Sequence, residues 1–325
     1  MDAVRVLAFI LAWASALLAL ASVGGAFSAR FDVLTHFTPF YLAGGVVAFI
    51  LALLSGSGTA TFAGAAAAVL IPAAMMAPDL VEALTAPRSA PSGQTVRLIQ
   101  FNLWSENRDP AGTAAWIEAQ DADVVVVEEA VTRGAIVAAY LSDLYPFQTS
   151  CRPRPTCTTL ILSKTPPEAS GVFPTPDHNA LHSGAWASFG TGPEAFTVAA
   201  THLTWPFPPG RQQSQADRLA GELKRFDRSS LILAGDFNST PWSFTLRRLD
   251  AQLGLVRRTH ALFSWPVRTY GKRHRLSSPF PFLPIDQVYA GGSWKTVSVK
   301  LGPRLGSDHL PVVVVLTRND RQGSA

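Results

Sequence analysis

Between Asp32 and Asp79 lie 46 consecutive residues without a charged side chain. A helix on the surface of a soluble domain needs a polar stripe facing water, and a run of this length has none to offer. It is not an isolated stretch. Within 1–87 only Asp2, Arg5, Arg30, Asp32, Asp79 and Glu82 are charged, although the 325-residue chain holds 27 Lys/Arg and 23 Asp/Glu. The overall charged fraction of 15% is therefore an average over two unlike parts. It excludes a single soluble domain, and it excludes a disordered or fibrous chain.

The apolar part divides into three runs, Val6–Val23, Phe37–Leu54 and Ala60–Met76, the last two joined by Ser55-Gly56-Ser57-Gly58. A bilayer core of about 30 Å needs roughly 20 helical residues. The runs predict transmembrane helices over 6–23, 37–54 and 59–77, and a membrane anchor over 1–85 in contact with the lipid bilayer. The first run also fits the apolar core of a cleaved signal peptide. The third, rich in Ala and interrupted by Pro72, also fits a buried soluble helix. Three spans place the remainder of the chain opposite the N-terminus. Arg5 set against Arg30 and Arg88 leans towards a cytoplasmic remainder. The cysteines lean the other way: Cys151 and Cys157, the only two, flank Arg-Pro-Arg-Pro and fit a disulfide in an oxidising compartment as well as two buried thiols. The reading taken is an integral membrane protein of the inner or plasma membrane with an extracytoplasmic domain.

Residues 86–95 form a polar, proline-containing linker. Beyond it, short β-like runs occur at Val96–Phe101, Asp123–Val127, Thr158–Leu162, Ala195–Ala200, Leu231–Ala234, Ile285–Tyr289 and Pro311–Leu316. Several are continuous Val/Ile/Leu, as in strands covered on both faces. Helical stretches alternate with them at Pro110–Ala119, Val131–Leu141, Arg211–Phe226 and Trp242–Leu253. The pattern is that of an α/β domain over 96–317 with a polar tail at 318–325.

Six apolar runs meet an abrupt polar group: Phe101-Asn102, Val127-Glu128-Glu129, Thr201-His202, Gly235-Asp236-Phe237-Asn238, Ile285-Asp286 and Ser307-Asp308-His309. Any one of them is accounted for by a turn or a helix cap. Together they offer carboxylates, amides and two histidines at strand ends. Hard oxygen donors suit Mg²⁺, or Mn²⁺, rather than zinc. There is no Gly-x-Ser-x-Gly elbow and no Gly-x₄-Gly-Lys phosphate loop. Metal-assisted hydrolysis with a histidine at hand is the chemistry left.

These motifs, in this order, resemble the endonuclease/exonuclease/phosphatase superfamily, which includes type I deoxyribonuclease, apurinic endonucleases, neutral sphingomyelinases and inositol polyphosphate phosphatases. The resemblance runs from 96 to 317, and the pairing of Gly235-Asp-Phe-Asn238 with Ser307-Asp-His-Leu-Pro311 is its most specific part. It implies a four-layer α/β/β/α sandwich with two packed mixed sheets. It also implies a Mg²⁺-dependent hydrolase acting on phosphate esters. Glu129 matches the metal-binding glutamate, and Glu128 stands where relatives usually carry Gln. Asn102 matches the asparagine that helps bind the metal, and Asp308 falls in or beside the metal sphere. Asp236 matches the aspartate that positions the attacking water, and Asn238 the amide that holds a phosphate oxygen. His309 would act as general base or stabilise the transition state, with Asp286 orienting its ring. His202 matches a histidine of the deoxyribonuclease- and sphingomyelinase-like branches and counts against the apurinic one. Membrane-anchored relatives often have Pro-Ile-Asp-His; here Gln287 follows Asp286, which removes any metal role for that position.

The implied substrate is a phosphodiester in nucleic acid or a phospholipid headgroup. A phosphomonoester of a lipid or sugar, or an inactive membrane-tethered binding protein on the same fold, is the alternative. Arg257–Arg275 contains six Lys/Arg and no acid (Arg257, Arg258, Arg268, Lys272, Arg273, Arg275). It would draw an anionic polymer or headgroup, or else is a solvated loop. Trp205-Pro-Phe-Pro-Pro209 and Trp265-Pro266 would form a lip for a base or acyl chain, or rigid packed loops. His178, His182, His260 and His274 sit in no motif, and no obligate protein partner is evident.

Overall fold

A computed structural model describes residues 3–151, 157–173, 183–267 and 278–318. His178, His182, His274, four of the six basic residues (Arg268, Lys272, Arg273, Arg275) and the tail beyond Arg318 lie outside these. The chain forms two compact units: one holds the residues up to Thr85 with 206–213 and 239–248, the other the remaining residues.

The first unit is built on α1 (Ala3–Val23), the short α2 (Ala29–Thr35), α3 (Thr38–Ser55) and α4 (Thr59–Thr85). Three of these helices are long and apolar enough to cross a membrane, with mean hydropathies of 2.4, 1.9 and 1.8. α4 runs on through Pro72 and Pro78 to Thr85, eight residues past the predicted end. The interior of the unit is made mostly of small side chains, Ala8, Ala12, Ala16 and Ala19 from α1, Ala48 and Ala52 from α3, Ala65 and Ala68 from α4, joined by Tyr41, Met75 and Met76. Gly45 shows how close the backbones come, since a Cβ there would stand 2.8 Å from the Ala68 carbonyl carbon. The large apolar residues point outward, among them Leu7, Ile10, Leu17, Ile50 and Leu53, with Leu17 60% exposed. A water-soluble bundle does the opposite and fills its core with Leu and Ile.

The second unit carries β1 (Gln94–Asn102), α5 (Pro110–Ala119), β2 (Val124–Glu128), α6 (Arg133–Tyr140), β3 (Phe147–Ser150), β4 (Leu160–Ser163), β5 (Ala169–Val172), β6 (Ser183–Phe189) and β7 (Phe196–His202). Then follow α7 (Arg211–Leu223), β8 (Leu231–Asp236), α8 (Phe244–Leu253), β9 (Val256–Arg257), β10 (Asp286–Ala290), β11 (Lys295–Leu301) and β12 (Val312–Arg318), the first residues of α7 and α8 belonging to the first unit. All seven predicted strands and all four predicted helices of the domain are present, with shifted ends. The strands β3, β5, β6, β9 and β11 were not predicted, being short or poor in branched aliphatics.

One sheet has the order β11-β12-β1-β2-β4-β3 and the other β5-β6-β7-β8-β10-β9. Each contains one parallel pair, β1–β2 and β7–β8, and both pairs are joined through a crossover helix, α5 and α7. Alternation along β1 and β12 sorts side chains by face. Leu98, Val126, Val198, Ile232, Val288 and Val314 meet in the core between the sheets. Ile99, Phe101, Val125, Val127 and Val313 face the other way, onto Ile117 of α5 and Val137 of α6. Two packed mixed sheets flanked by helices are the sandwich the sequence implied. Cys151 and Cys157 are joined in a disulfide, Cα atoms 5.4 Å apart, and both are buried in the inter-sheet core.

Candidate active site

Strand register brings the polar residues to one end of the two sheets. In the second sheet Asp236 ends β8 opposite His202 on one neighbour and Asp286 on the other. In the first, Asn102 lies opposite Glu128. Gly235 allows this convergence, because a Cβ there would fall 1.9 Å from the Thr201 carbonyl oxygen. Just past the strands the backbone turns left-handed at Glu129 (φ 51°) and Asn238 (φ 47°). Few non-glycine residues adopt this region, and those that do cluster at functional sites. At Glu129 the turn takes the carboxylate out of the sheet's alternation, while Glu128 stays fully buried.

His309 Nδ1 lies 2.8 Å from Asp286 Oδ2, which also accepts from Ser264 Oγ at 2.5 Å. From the opposite sheet Gln100 Nε2 donates to Asp286 Oδ1 (2.8 Å) and to Glu128 Oε2 (2.9 Å). Asp286 is thus fixed on three sides, and it fixes the His309 ring. Nε2 of His309 and Nε2 of His202 stand 3.8 and 3.7 Å from the same atom, Asp236 Oδ2. Asn102 Nδ2 donates to that oxygen at 2.9 Å and reaches Glu129 Oε1 at 3.5 Å. Glu129 Oε2 accepts from Ser105 N at 2.9 Å. Asn238 Nδ2 lies 3.3 Å from His202 Nε2 and donates to Leu203 O at 3.0 Å. Asp308 Oδ2 accepts from Trp265 Nε1 at 3.1 Å, and the Trp265 ring centroid is 6.3 Å from that of His309.

The electrostatics are those of crowded acids. Burial, and then the Asp286 charge, pushes Asp236 up to about 6 against the pull of His309 and His202. Burial lowers His309, but the Asp286 charge and hydrogen bond, with Asp236 and Asp308, outweigh it and raise the ring to about 10. Glu128 is raised well above its ordinary value by burial and then by the Asp286 and Asp236 charges. Glu129 differs. Burial raises it, yet the His202 charge, the Ser105 amide, His309 and Asn102 together bring it below its ordinary value. An ionised, half-buried carboxylate beside a ring of acids is a donor set that a hard divalent cation fits. Oxygens of Asp236 and Asp286 and a nitrogen of His309 lie within 4.8 Å of one another. Their hydrogen bonds mark Asp286 and His309 as an oriented pair instead of a ligand cluster.

All eight sequence-predicted residues therefore sit in one neighbourhood. The parts played by Gln100, Ser264 and Ser307 were missed, while Trp265, expected to be a lip or a packed loop, stands beside His309. Gln100 had a signal, since it lies two residues before Asn102 on the same face of β1. Ser307 Oγ donates to Asn102 O at 2.7 Å and Ser264 acts through Asp286; neither contact can be read from local sequence. Gln287 is buried, accepting from Thr259 Oγ1 and donating to Pro284 O, a structural part. Two of the six basic residues are also employed in the fold. Arg257 pairs with Asp250 at 3.6 Å, and Arg258 donates to the carbonyls of Gly291 and Trp294. His260 bonds Arg257 O away from the site.

The model of the Endonuclease/Exonuclease/phosphatase family matches residues 99–309. The chain belongs to that family. Family members are typically divalent-metal-dependent phosphoester hydrolases, and here the matched stretch contains every residue of the site just described. Among solved structures, the family protein from Beutenbergia cavernae is 23% identical, covering 70% of this chain and 72% of that one, with a TM-score of 0.53. Sphingomyelinase C from Streptomyces griseocarneus is 18% identical (68% and 99% covered, TM-score 0.51). TDP2 from D. rerio, complexed with a single-strand DNA product, is 14% identical (69% and 99%, TM-score 0.55). These likenesses show the fold. A search of the curated proteins found no match.

Proposed function

We propose that the protein is a membrane-anchored, Mg²⁺-dependent phosphodiesterase whose three apolar helices hold the sandwich to a bilayer. The observation that carries the hydrolase reading is the pair of imidazoles aimed at one oxygen of Asp236, one of them locked by Asp286. Glu129, with Asn102 and Asp308, would hold the cation, which when bound would polarise a phosphoryl oxygen as a Lewis acid. Asp236 takes the proton of the attacking water. His309, kept cationic between Asp286, Asp236 and Asp308, stabilises charge on the phosphoryl oxygens. Asn238 donates to a phosphate oxygen, and His202 beside it faces the leaving group. Small residues inside the helical unit and large apolar ones outside support the anchor. The Cys151–Cys157 disulfide supports an extracytoplasmic domain.

The test uses the full chain in detergent with Mg²⁺. Bis-p-nitrophenyl phosphate, p-nitrophenyl phosphate, single-stranded DNA, phospholipid and sugar phosphate are compared between wild type and His309→Ala. Turnover of a diester by wild type alone is expected. Activity confined to the monoesters sinks the diesterase reading, and equal inactivity of both proteins on all five supports the tethered-binding alternative.

A further inference from the structure

Asp32 is an acidic residue in the first turn of the short helix α2, between the first two apolar helices, and it is only 4% exposed. Its Oδ1 accepts from Phe244 N at 2.7 Å, and its Oδ2 from Thr245 N at 2.8 Å and Thr245 Oγ1 at 2.6 Å. Phe244 and Thr245 open α8. The next amide, Leu246 N, donates to Ser243 Oγ at 3.1 Å. The first turn of α8 is thus capped by two residues: Ser243 from its own sequence, and a carboxylate 212 positions earlier. A carboxylate on helix-terminal amides makes charge-assisted bonds and meets the positive end of the helix dipole. Nearby contacts reinforce it. Trp242 Nε1 donates to Thr35 O at 2.8 Å, Arg247 Nη2 to Met75 O at 2.6 Å, and Arg248 stands 3.8 Å from Asp32.

All these partners belong to the first compact unit, which takes in 239–248. That segment follows Asp236-Phe237-Asn238 without a break. Ser239 and Thr240 are fully buried, and Ser239 Oγ is 2.7 Å from Ser243 Oγ. The path from Asp32 to the left-handed turn at Asn238 is thus five or six residues of tightly held chain.

We infer that Asp32 is a positioning residue: through its cap on Phe244 and Thr245, the short helix α2 of the anchor orders the segment that carries Asn238. The anchor is then part of how the site is shaped, beyond tethering it. The inference rests on the hydrolase reading for its kinetic arm only.

Two measurements on the full chain in detergent test it. Hydrogen–deuterium exchange is followed in peptides covering 236–246 for wild type, Asp32→Ala, Asp32→Asn and the exposed-site control Arg30→Ala. Asp32→Ala should raise exchange across 237–245, Asp32→Asn less because its amide oxygen still accepts one bond, and Arg30→Ala not at all. Steady-state kinetics on bis-p-nitrophenyl phosphate should show kcat falling about tenfold in Asp32→Ala with KM within twofold, and partial recovery in Asp32→Asn. Exchange confined to Phe244 and Thr245, or raised exchange with an unchanged kcat, would overturn the inference. If wild type turns over nothing, the hydrolase reading fails and exchange at 237–239 alone decides the coupling: protection unchanged by Asp32→Ala overturns it.

Discussion

The two units solve the burial problem in opposite ways. In the sandwich, Leu98, Val126, Ile232 and Val314 fill the space between the sheets, and the buried acids Asp236 and Asp286 are held there by hydrogen bonds from Asn102, Gln100 and Ser264. In the helical unit Ala and Gly form the interior, and Leu17, Ile50 and Leu53 face outward. Water drives the first arrangement, since each buried large aliphatic side chain contributes about 1.5–3 kcal/mol. In the second, close backbone approach brings the stabilisation, as expected where the surroundings are as apolar as leucine. The difference teaches that the same residue, leucine, is structural cement in one unit and outer surface in the other.

The largest effects that separate the units concern the polar interior of the sandwich. His309→Ala should lower kcat about 10³-fold, within the range for removal of a group that stabilises transition-state charge, and Asp286→Asn by somewhat less. Both are read by steady-state kinetics on a diester. No substitution on the outer face of the helical unit should approach this; a comparable loss in Leu17→Ala would break the contrast. Chelation with EDTA should abolish activity and Mg²⁺ restore it. Saturating Mg²⁺ should also raise the thermal midpoint, by an amount that follows from about 2.7 kcal/mol at a hundredfold excess over Kd. A midpoint indifferent to Mg²⁺ would remove the metal from Glu129.

Stability comes next. Leu98→Ala should cost about 2–5 kcal/mol, whereas Leu17→Ala in detergent should stay within about 0.5 kcal/mol. Gly45→Leu should disrupt the bundle, because the new side chain meets the Ala68 backbone. Equal costs for the two leucine truncations, by denaturant or thermal melts, would show that the helical unit is packed like a soluble one. Labelling with a membrane-impermeant thiol reagent in native membranes should modify Cys151 and Cys157 only after reduction; modification without reduction would sink the extracytoplasmic assignment. The smallest effect is alkaline. Burial, then the Asp121 charge, raises Tyr145 from 10.0 to about 12. The unfolded chain therefore loses this proton first, and the sandwich loses stability as pH rises from 10 to 12. Tyr145→Phe should flatten that part of the pH–stability curve.

Much of this was legible in the sequence. Continuous Val/Ile/Leu runs marked the central strands, and six polar interruptions marked their ends. What stayed hidden were edges and cross-links. β5 and β11 lie at the margins of their sheets, where little apolar pattern is required. The α2 helix is seven residues long, too short to show a helical period in the stretch between the first two apolar runs. Asp32 is one of six charged residues in 1–87, and only the tertiary structure reveals that it caps a helix 212 positions away. Trp265 read as a packed loop residue or a lip. It is a wall of the site, tied to Asp308.

Gln100 has a consequence of its own. Its side chain starts in one sheet and holds Asp286, the partner of His309, in the other. Asn102 reaches across in the same way to Asp236. The reactive geometry is therefore a seam sewn through both halves of the sandwich. Turnover should vanish in mild denaturant as soon as the sheets loosen, while far-ultraviolet circular dichroism still registers intact strands. The activity proposed for this molecule would double as a gauge of how firmly its two sheets are closed.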